Sequence, residues 1–257
     1  MYNPFDFSGK KFILTGGTSG IGKATAIQLA QQGAGVFFLG RNEKKMWETI
    51  SSLPGTGHDY APVDFQEKAD LKPAFDRAVS DGKAIDGIVH CAAIADVQPL
   101  AAISEEKVFN SMRVNLVSFI EMVKLYSKRK YHAENGSIVG ISSTSALYPE
   151  KGNAIYAATK ASMNAVLQSF AKELTAKGIR INAVLPACVD TPMLRNSDQA
   201  SDLVSSEDSS IKRTRQLLGI SQPEDIASVI LFLLSDASRV ITGRTIFADG
   251  GDINFNV

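Results

Sequence analysis

The chain of 257 residues is 44% hydrophobic, 21% charged and 8% aromatic. That is the make-up of a folded globular protein with ample core material, and it excludes a disordered or fibrous chain. Its 27 Lys and Arg balance 27 Asp and Glu at a formal net charge of zero, which argues against nucleic acid as a partner and gives no reason to propose a membrane surface.

Short apolar runs alternate with longer amphipathic ones along the whole chain. Strands are predicted at 11–15, 36–40, 59–63, 85–91, 137–142, 180–185 and 245–248, each bounded by Gly, Asp or Asn. Helical patterns lie between them at about 21–32, 43–52, 67–81, 104–130, 154–176 and 223–234. In the fifth of these, Met163, Val166, Phe170 and Leu174 share one face. Such alternation implies a parallel sheet with helices on both faces, and uninterrupted apolar strands such as Phe12-Ile13-Leu14 suit a sheet buried on both sides. With no linker and no internal repeat, residues 1–257 read as a single doubly wound α/β domain. Residues 196–210, rich in Ser and Asp, break the pattern after the sixth strand. They read either as a solvated loop or, within a segment of about 191–219, as a lid over a substrate.

Two cysteines, Cys91 and Cys188, make no disulfide framework, and His58, His90 and His132 lack metal-ligand spacing, so no metal is expected. The N-terminus has no apolar stretch of signal-peptide length. The longest apolar run, 229–234, falls far short of the roughly 20 residues of a membrane span, and a cytoplasmic protein is expected.

After the first strand, Gly16, Gly20 and Gly22 form a GxxxGxG turn leading into a helix. Glycine lets the backbone approach a pyrophosphate, whose charge sits at the positive helix N-terminus. Placed here in a doubly wound sheet, the turn points to a dinucleotide. The second strand ends in Leu39-Gly40-Arg41-Asn42, without the carboxylate that an NAD site uses for the ribose hydroxyls. Arg41 suits a 2′-phosphate, so NADP(H) is favoured over NAD(H). Asp64, after the third strand, is placed either to accept from the adenine amino group or to cap a helix.

Ser143 follows the fifth strand, and Tyr156 stands four residues before Lys160 in a helical pattern, which puts phenol and ammonium on one face. A nearby positive charge lowers a tyrosine pKa from about 10 and makes it a usable general acid and base. Ser143 is placed to hold the substrate oxygen beside it.

Thr15-Gly16-x-x-x-Gly20-Ile21-Gly22, Asn115, Ser143 and Tyr156-x-x-x-Lys160, in this order and spacing, resemble the single-domain branch of the short-chain dehydrogenase/reductase family from about residue 8 to the C-terminus. The resemblance implies a seven-stranded Rossmann-type domain and a catalytic tetrad. In it Tyr156 donates the proton and Ser143 positions the carbonyl. Lys160 binds the nicotinamide ribose and lowers the tyrosine pKa, while Asn115 orders a water in the proton relay. It also implies dinucleotide contacts from Thr18, Ser19, Ile21, Asn42, Phe65, Ala92, Ala93, Pro186, Val189 and Thr191 beside the glycines, Arg41, Asp64, Asn115, Tyr156 and Lys160. Assembly as a dimer or homotetramer through the fourth and fifth helices is implied as well. Two departures stand out: His90-Cys91-Ala92-Ala93 replaces the family's usual Asn-Asn-Ala-Gly, and Pro186-Ala187 replaces Pro-Gly. His90 is expected to be a core histidine.

The expected activity is therefore interconversion of a ketone and a secondary alcohol by hydride transfer with NADP(H). A 3-oxoacyl-[acyl-carrier-protein] reductase and an NAD-dependent sugar or polyol dehydrogenase are alternatives, and a non-catalytic dinucleotide-binding regulator comes last. Carrier-protein docking needs a basic surface, for which Lys128-Arg129-Lys130 is the candidate, weakened by Glu134. The substrate pocket is expected from Ala95, Asp96, Val97, Ser145, Asn153 and the loop from Ala187. Arg195, Lys212 and Arg213 are available to an anionic substrate or are simply solvated.

Overall fold

The computed structural model describes residues 3–67, 70–196 and 216–252. Seven parallel strands form one sheet in the order β3-β2-β1-β4-β5-β6-β7: β1 Lys11–Thr15, β2 Gly35–Gly40, β3 Asp59–Pro62, β4 Ile85–His90, β5 His132–Ile141, β6 Arg180–Pro186 and β7 Thr245–Ala248. The order reverses between β1 and β4, which opens a crevice at their carboxyl ends. Alternate residues of each strand enter opposite layers. Ile13, Leu39, Ile88 and Ile181 pack into one core, and Phe12, Leu14, Phe38, Val89 and Val184 into the other.

Helices α1 Gly20–Gln31 and α8 Pro223–Leu234 cover the second layer, where Gln28 Nε2 donates to the Glu224 carbonyl at 3.0 Å. Pro223 suits the first turn of α8, and a capping box closes it, with Gln222 N donating to Asp225 Oδ2 at 2.7 Å. Between β2 and β3 runs α2, Glu43–Ser51. The first layer holds α3 Lys72–Ala78, α4 Glu105–Met112, α5 Ser118–Tyr126 and α6 Ala154–Leu174, and a short α7, Pro192–Arg195, follows β6. Among the described residues no helix is long and apolar enough to cross a membrane.

Several predicted boundaries move. The helix expected over 104–130 is two helices joined by a π turn at Arg113–Val117, and it ends at Tyr126. The one expected over 67–81 spans only Lys72–Ala78, entered through Pro73. Strand β5 starts at His132, because Ile85 pairs with His132 before the register shifts to Gly87 and Ser137. On α6 the buried stripe runs through Lys160, Met163, Leu167, Ala171 and Leu174, with Val166 and Phe170 at its rim. Of the Ser- and Asp-rich segment 196–210, all but Asn196 lies outside the described residues, as do Lys212 and Arg213.

Candidate active site

A cavity of about 980 Å³ runs along the carboxyl edge of the sheet, at the upper end of ligand-cleft volumes. The glycine turn forms one end. Gly16 has φ +67°, and a Cβ there would lie 2.8 Å from the Ala92 backbone nitrogen. A Cβ on Gly22 would collide with the Gly16 carbonyl oxygen, and one on Gly20 would come within 2.9 Å of Thr191 Cγ2. Any side chain at these three places fills the cradle. Ser19 makes no side-chain cap, so the first-turn N–H groups of α1 remain for a ligand, and no acid stands in that turn. The residues present thus fit a pyrophosphate. Thr18, Ser19 and Ile21 line the cavity with the glycines.

At the end of β2, Arg41, Asn42 and Lys45 line the cavity. Arg41 Nη1 donates to Gln66 Oε1 at 2.9 Å, and Arg113 Nη1 donates to the Gln66 carbonyl at 3.0 Å. Asn42 is also the N-cap of α2, its Oδ1 accepting from Lys45 N at 2.9 Å. Asp64 lines the cavity but caps no helix, since its Oδ1 accepts from Gln66 N at 2.9 Å in a tight turn. Lys45 and Gln66 escaped the sequence reading. Lys45 is recognisable once the helix start at Glu43 sets its face; Gln66 has no local signal.

The wall between the two ends is the strap after β4. Ala92 and Ala93 line the cavity, as does Phe65 from the turn after β3. Asn115, fully buried in the π turn, does not line the cavity. Its Oδ1 accepts from Ile94 N at 2.9 Å, and its Nδ2 donates to the Ile94 carbonyl at 2.9 Å and to Thr159 Oγ1 at 3.0 Å. It holds the strap from behind.

Ser143, Tyr156 and Lys160 meet at the other end. Ser143 follows β5, and its Oγ accepts from Ser145 N at 3.1 Å. Lys160 Nζ donates to the Ile141 carbonyl at 2.6 Å and stands 5.4 Å from the centre of the Tyr156 ring. The expectation of a lowered tyrosine pKa is not met in the protein alone. Burial pushes Tyr156 up to about 12, against which a hydrogen bond from Ser143 works. Burial also brings Lys160 down to about 8 and pushes the Cys91 thiol on the wall up to about 12. Desolvation thus disfavours the charged form of each of these groups.

Pro186 at the end of β6 and Val189 beyond it line the cavity, and Thr191 caps α7, its Oγ1 accepting from Leu194 N at 3.3 Å. The substrate end holds Ala95, Val97, Ser145, Asn153 and Cys188, with Glu150, Lys151 and Asp252 at its margin. Asn153 is buried; its Nδ2 donates to Ser145 Oγ at 3.1 Å, while its Oδ1 has no hydrogen-bond partner. Asp96, expected at the pocket, turns elsewhere, and Arg195 takes the solvated of its two readings. Asp96 accepts from Gln98 Nε2 at 3.2 Å, and Arg195 is held by Asp190 through bonds of 2.7 and 2.8 Å. A neutral amide donor holds the first side chain and an opposite charge the second.

Comparison with known proteins agrees with this geometry. A family model described as "Enoyl-(Acyl carrier protein) reductase" matches residues 16–252. The chain is 32% identical to the 3-oxoacyl-[acyl-carrier-protein] reductase of Thermotoga maritima, over 95% of this chain and 97% of that protein. It is 30% identical to the L-xylulose reductase of Caenorhabditis elegans, over 97% and 98%. A short-chain dehydrogenase from Burkholderia cenocepacia, solved in complex with NADP, superposes with a TM-score of 0.85 at 25% identity over 96% and 99% of the chains. The chain belongs to the short-chain dehydrogenase/reductase family, and it is an oxidoreductase acting on alcohols and ketones.

Proposed function

We propose that the protein interconverts a ketone and a secondary alcohol with NADP(H), with Tyr156 as general acid and base. The observation that carries this reading is one continuous cavity with the glycine cradle at one end and Ser143, Tyr156 and Lys160 at the other. NADP(H), when bound, supplies the hydride from nicotinamide C4 or takes it up. The glycine turn and the α1 N-terminus hold its pyrophosphate, and Arg41 with Lys45 supports a 2′-phosphate over a free ribose. The Burkholderia protein with its NADP supports the same choice.

The substrate oxygen sits between the Ser143 hydroxyl and the Tyr156 phenol. In reduction Tyr156, protonated at neutral pH, gives its proton to the oxygen as charge develops there; in oxidation the phenolate takes that proton back. The Lys160 ammonium, close to the ring, lowers the cost of the phenolate. Asn115 acts through the strap it holds. The side chains needed for proton transfer distinguish this reading from a binding protein without chemistry.

For the substrate, the polar Ser145 and Asn153 in the cavity lining favour a small hydroxylated ketone over a long apolar acyl chain, because hydroxyls pair with polar side chains and methylenes do not. The likeness to the Thermotoga enzyme keeps an acyl thioester as the second reading. The basic segment it would use is partly neutralised: Lys130 pairs with Asp76, and Arg129 lies 3.8 Å from Glu134. Self-association completes the reading, supported by the exposed Phe109 on α4 and Val117 at the end of the π turn; light scattering tests it. The deciding assay is NADPH oxidation with a ketose and with a 3-oxoacyl thioester, run beside NADH and a Tyr156→Phe control. Turnover that prefers NADPH and is lost in the control is expected. Turnover retained by Tyr156→Phe overturns the mechanism.

A further inference from the structure

His90 is wholly buried at the end of β4, outside the cavity lining, and both ring nitrogens are engaged. Nδ1 lies 3.1 Å from Thr15 Oγ1, and Nε2 lies 3.3 Å from Ser118 Oγ. The protons can be placed by elimination. Ser118 has one hydroxyl proton, and it goes to the Val114 carbonyl at 2.6 Å. Its oxygen therefore accepts, and the ring proton is on Nε2. Nδ1 is then a lone pair and takes the Thr15 hydroxyl proton. Thr15 Oγ1 in turn accepts from Ala92 N at 3.0 Å.

The result is one directed chain, from Ala92 N–H through Thr15, His90 and Ser118 to the Val114 carbonyl. It joins three pieces of the site. Thr15 ends β1, Ala92 is the cavity wall on which Gly16 rests, and Val114 lies within, and Ser118 directly after, the π turn that carries Asn115. Asn115 grips the strap two residues beyond Ala92, at Ile94. Phe65 and Phe119 flank the ring with centroids 6.3 and 5.5 Å away, so it has no other polar outlet.

We propose that His90 is a positioning residue that sets the spacing between the dinucleotide wall at Ala92 and the π turn of Asn115, acting as a fixed strut with its proton on Nε2. The strut explains why Asn115 can hold the strap without touching the cavity. Burial, with the Lys160 charge as a lesser cause, brings His90 down to about 3, so the ring keeps the protonation the strut requires. This inference does not depend on which substrate the enzyme takes.

Substitution by amides divides the strut. The Asn amide reaches as far as a ring Nδ1, so His90→Asn keeps the Thr15 bond and loses Ser118; the Gln amide reaches as far as Nε2, so His90→Gln does the reverse. Amide hydrogen exchange of the full chain reads both ends. His90→Asn is expected to speed exchange at Ile94 about tenfold and leave Ala92 unchanged, and His90→Gln to speed Ala92 and leave Ile94. Ser118→Ala should copy His90→Asn and add nothing to it in the double variant. A residue that merely fills volume would move both amides together in both variants, and that result, or additive effects of His90→Asn and Ser118→Ala, overturns the proposal. Should the histidine variants fail to fold, Ser118→Ala alone decides, because unchanged exchange at Ile94 also overturns it.

Discussion

The Lys160 ammonium stands 5.4 Å from the centre of the Tyr156 ring, one helical turn away, while it donates to the Ile141 carbonyl at 2.6 Å. The lysine is thereby held over the phenol by the end of β5. Burial raises Tyr156 to about 12 and lowers Lys160 to about 8, so in the protein alone the acid is protonated and the lysine charged at neutral pH. Tyr156→Phe is expected to lower turnover by about 10²- to 10⁴-fold with dinucleotide affinity within about threefold. Steady-state kinetics beside fluorescence titration of NADPH checks this.

Lys160 loses its proton as pH rises through about 8. Oxidation of an alcohol needs the phenolate, so its rate should climb with pH; carbonyl reduction needs the phenol and should fall on the alkaline side. Lys160→Met removes the charge that favours the phenolate. The limb near pH 8 that belongs to Lys160 should then vanish while the one set by Tyr156 at about 12 stays, as pH profiles of kcat in both directions will show.

Arg41 and Lys45 line the cavity where an NAD site would place a carboxylate. Arg41→Ala is expected to weaken NADPH by about ten- to a hundredfold and NADH by no more than about twofold, because only a 2′-phosphate uses the guanidinium. Equal weakening of both cofactors would remove Arg41 from the phosphate role.

Gly16 combines a left-handed φ of +67° with an imaginary Cβ 2.8 Å from Ala92 N and 2.9 Å from Cys91 C. Both neighbours are backbone and give little. Gly16→Ala should cost about 2 kcal/mol or more and abolish NADPH binding in whatever remains folded. Chemical denaturation and titration of the purified variant test both halves.

The depressed pKa of His90 also predicts a signature in stability. Its native value of about 3 lies below the ordinary 6.5, so between those limits the unfolded chain binds a proton that the native protein refuses. The stability that this ring provides is full above about pH 6.5 and drains away as pH falls, by about 1.4 kcal/mol per pH unit. His90→Gln, which cannot titrate, should lack this component when urea unfolding is compared at pH 7 and pH 4.5.

Much of the site was legible because its residues are tied to regular backbone. Apolar strands bounded by turn residues placed the sheet, and the spacing of Tyr156 and Lys160 put both on one face of α6. Gly16, Gly20 and Gly22 announced a close approach, although not that Ala92 and Thr191 would be what they approach. The break in the helix at 104–130 left no trace, since its periodicity continues through a π turn held by Ser118 and His90 from another element. On α6 the face of Met163, Val166, Phe170 and Leu174 is buried at Met163 and Leu174, while packing against the core buries Leu167 and Ala171 more fully than Val166 and Phe170. Arg195 and Asp96 looked available because their partners Asp190 and Gln98 show only after folding.

The sequence by itself determined the alternation of elements, the chemistry of the turn and the shared helix face of Tyr156 and Lys160, because hydrophobic period, glycine freedom and helical spacing are local properties of the chain. Only the tertiary structure decided what surrounds those groups. It raised the Tyr156 pKa where a positive neighbour alone would lower it, set Asn115 behind the wall, and joined His90 to Thr15 and Ser118. Each outcome depends on desolvation or on partners far apart in sequence, and burial and long-range hydrogen bonds exist only once the sheet and its helices have closed around them.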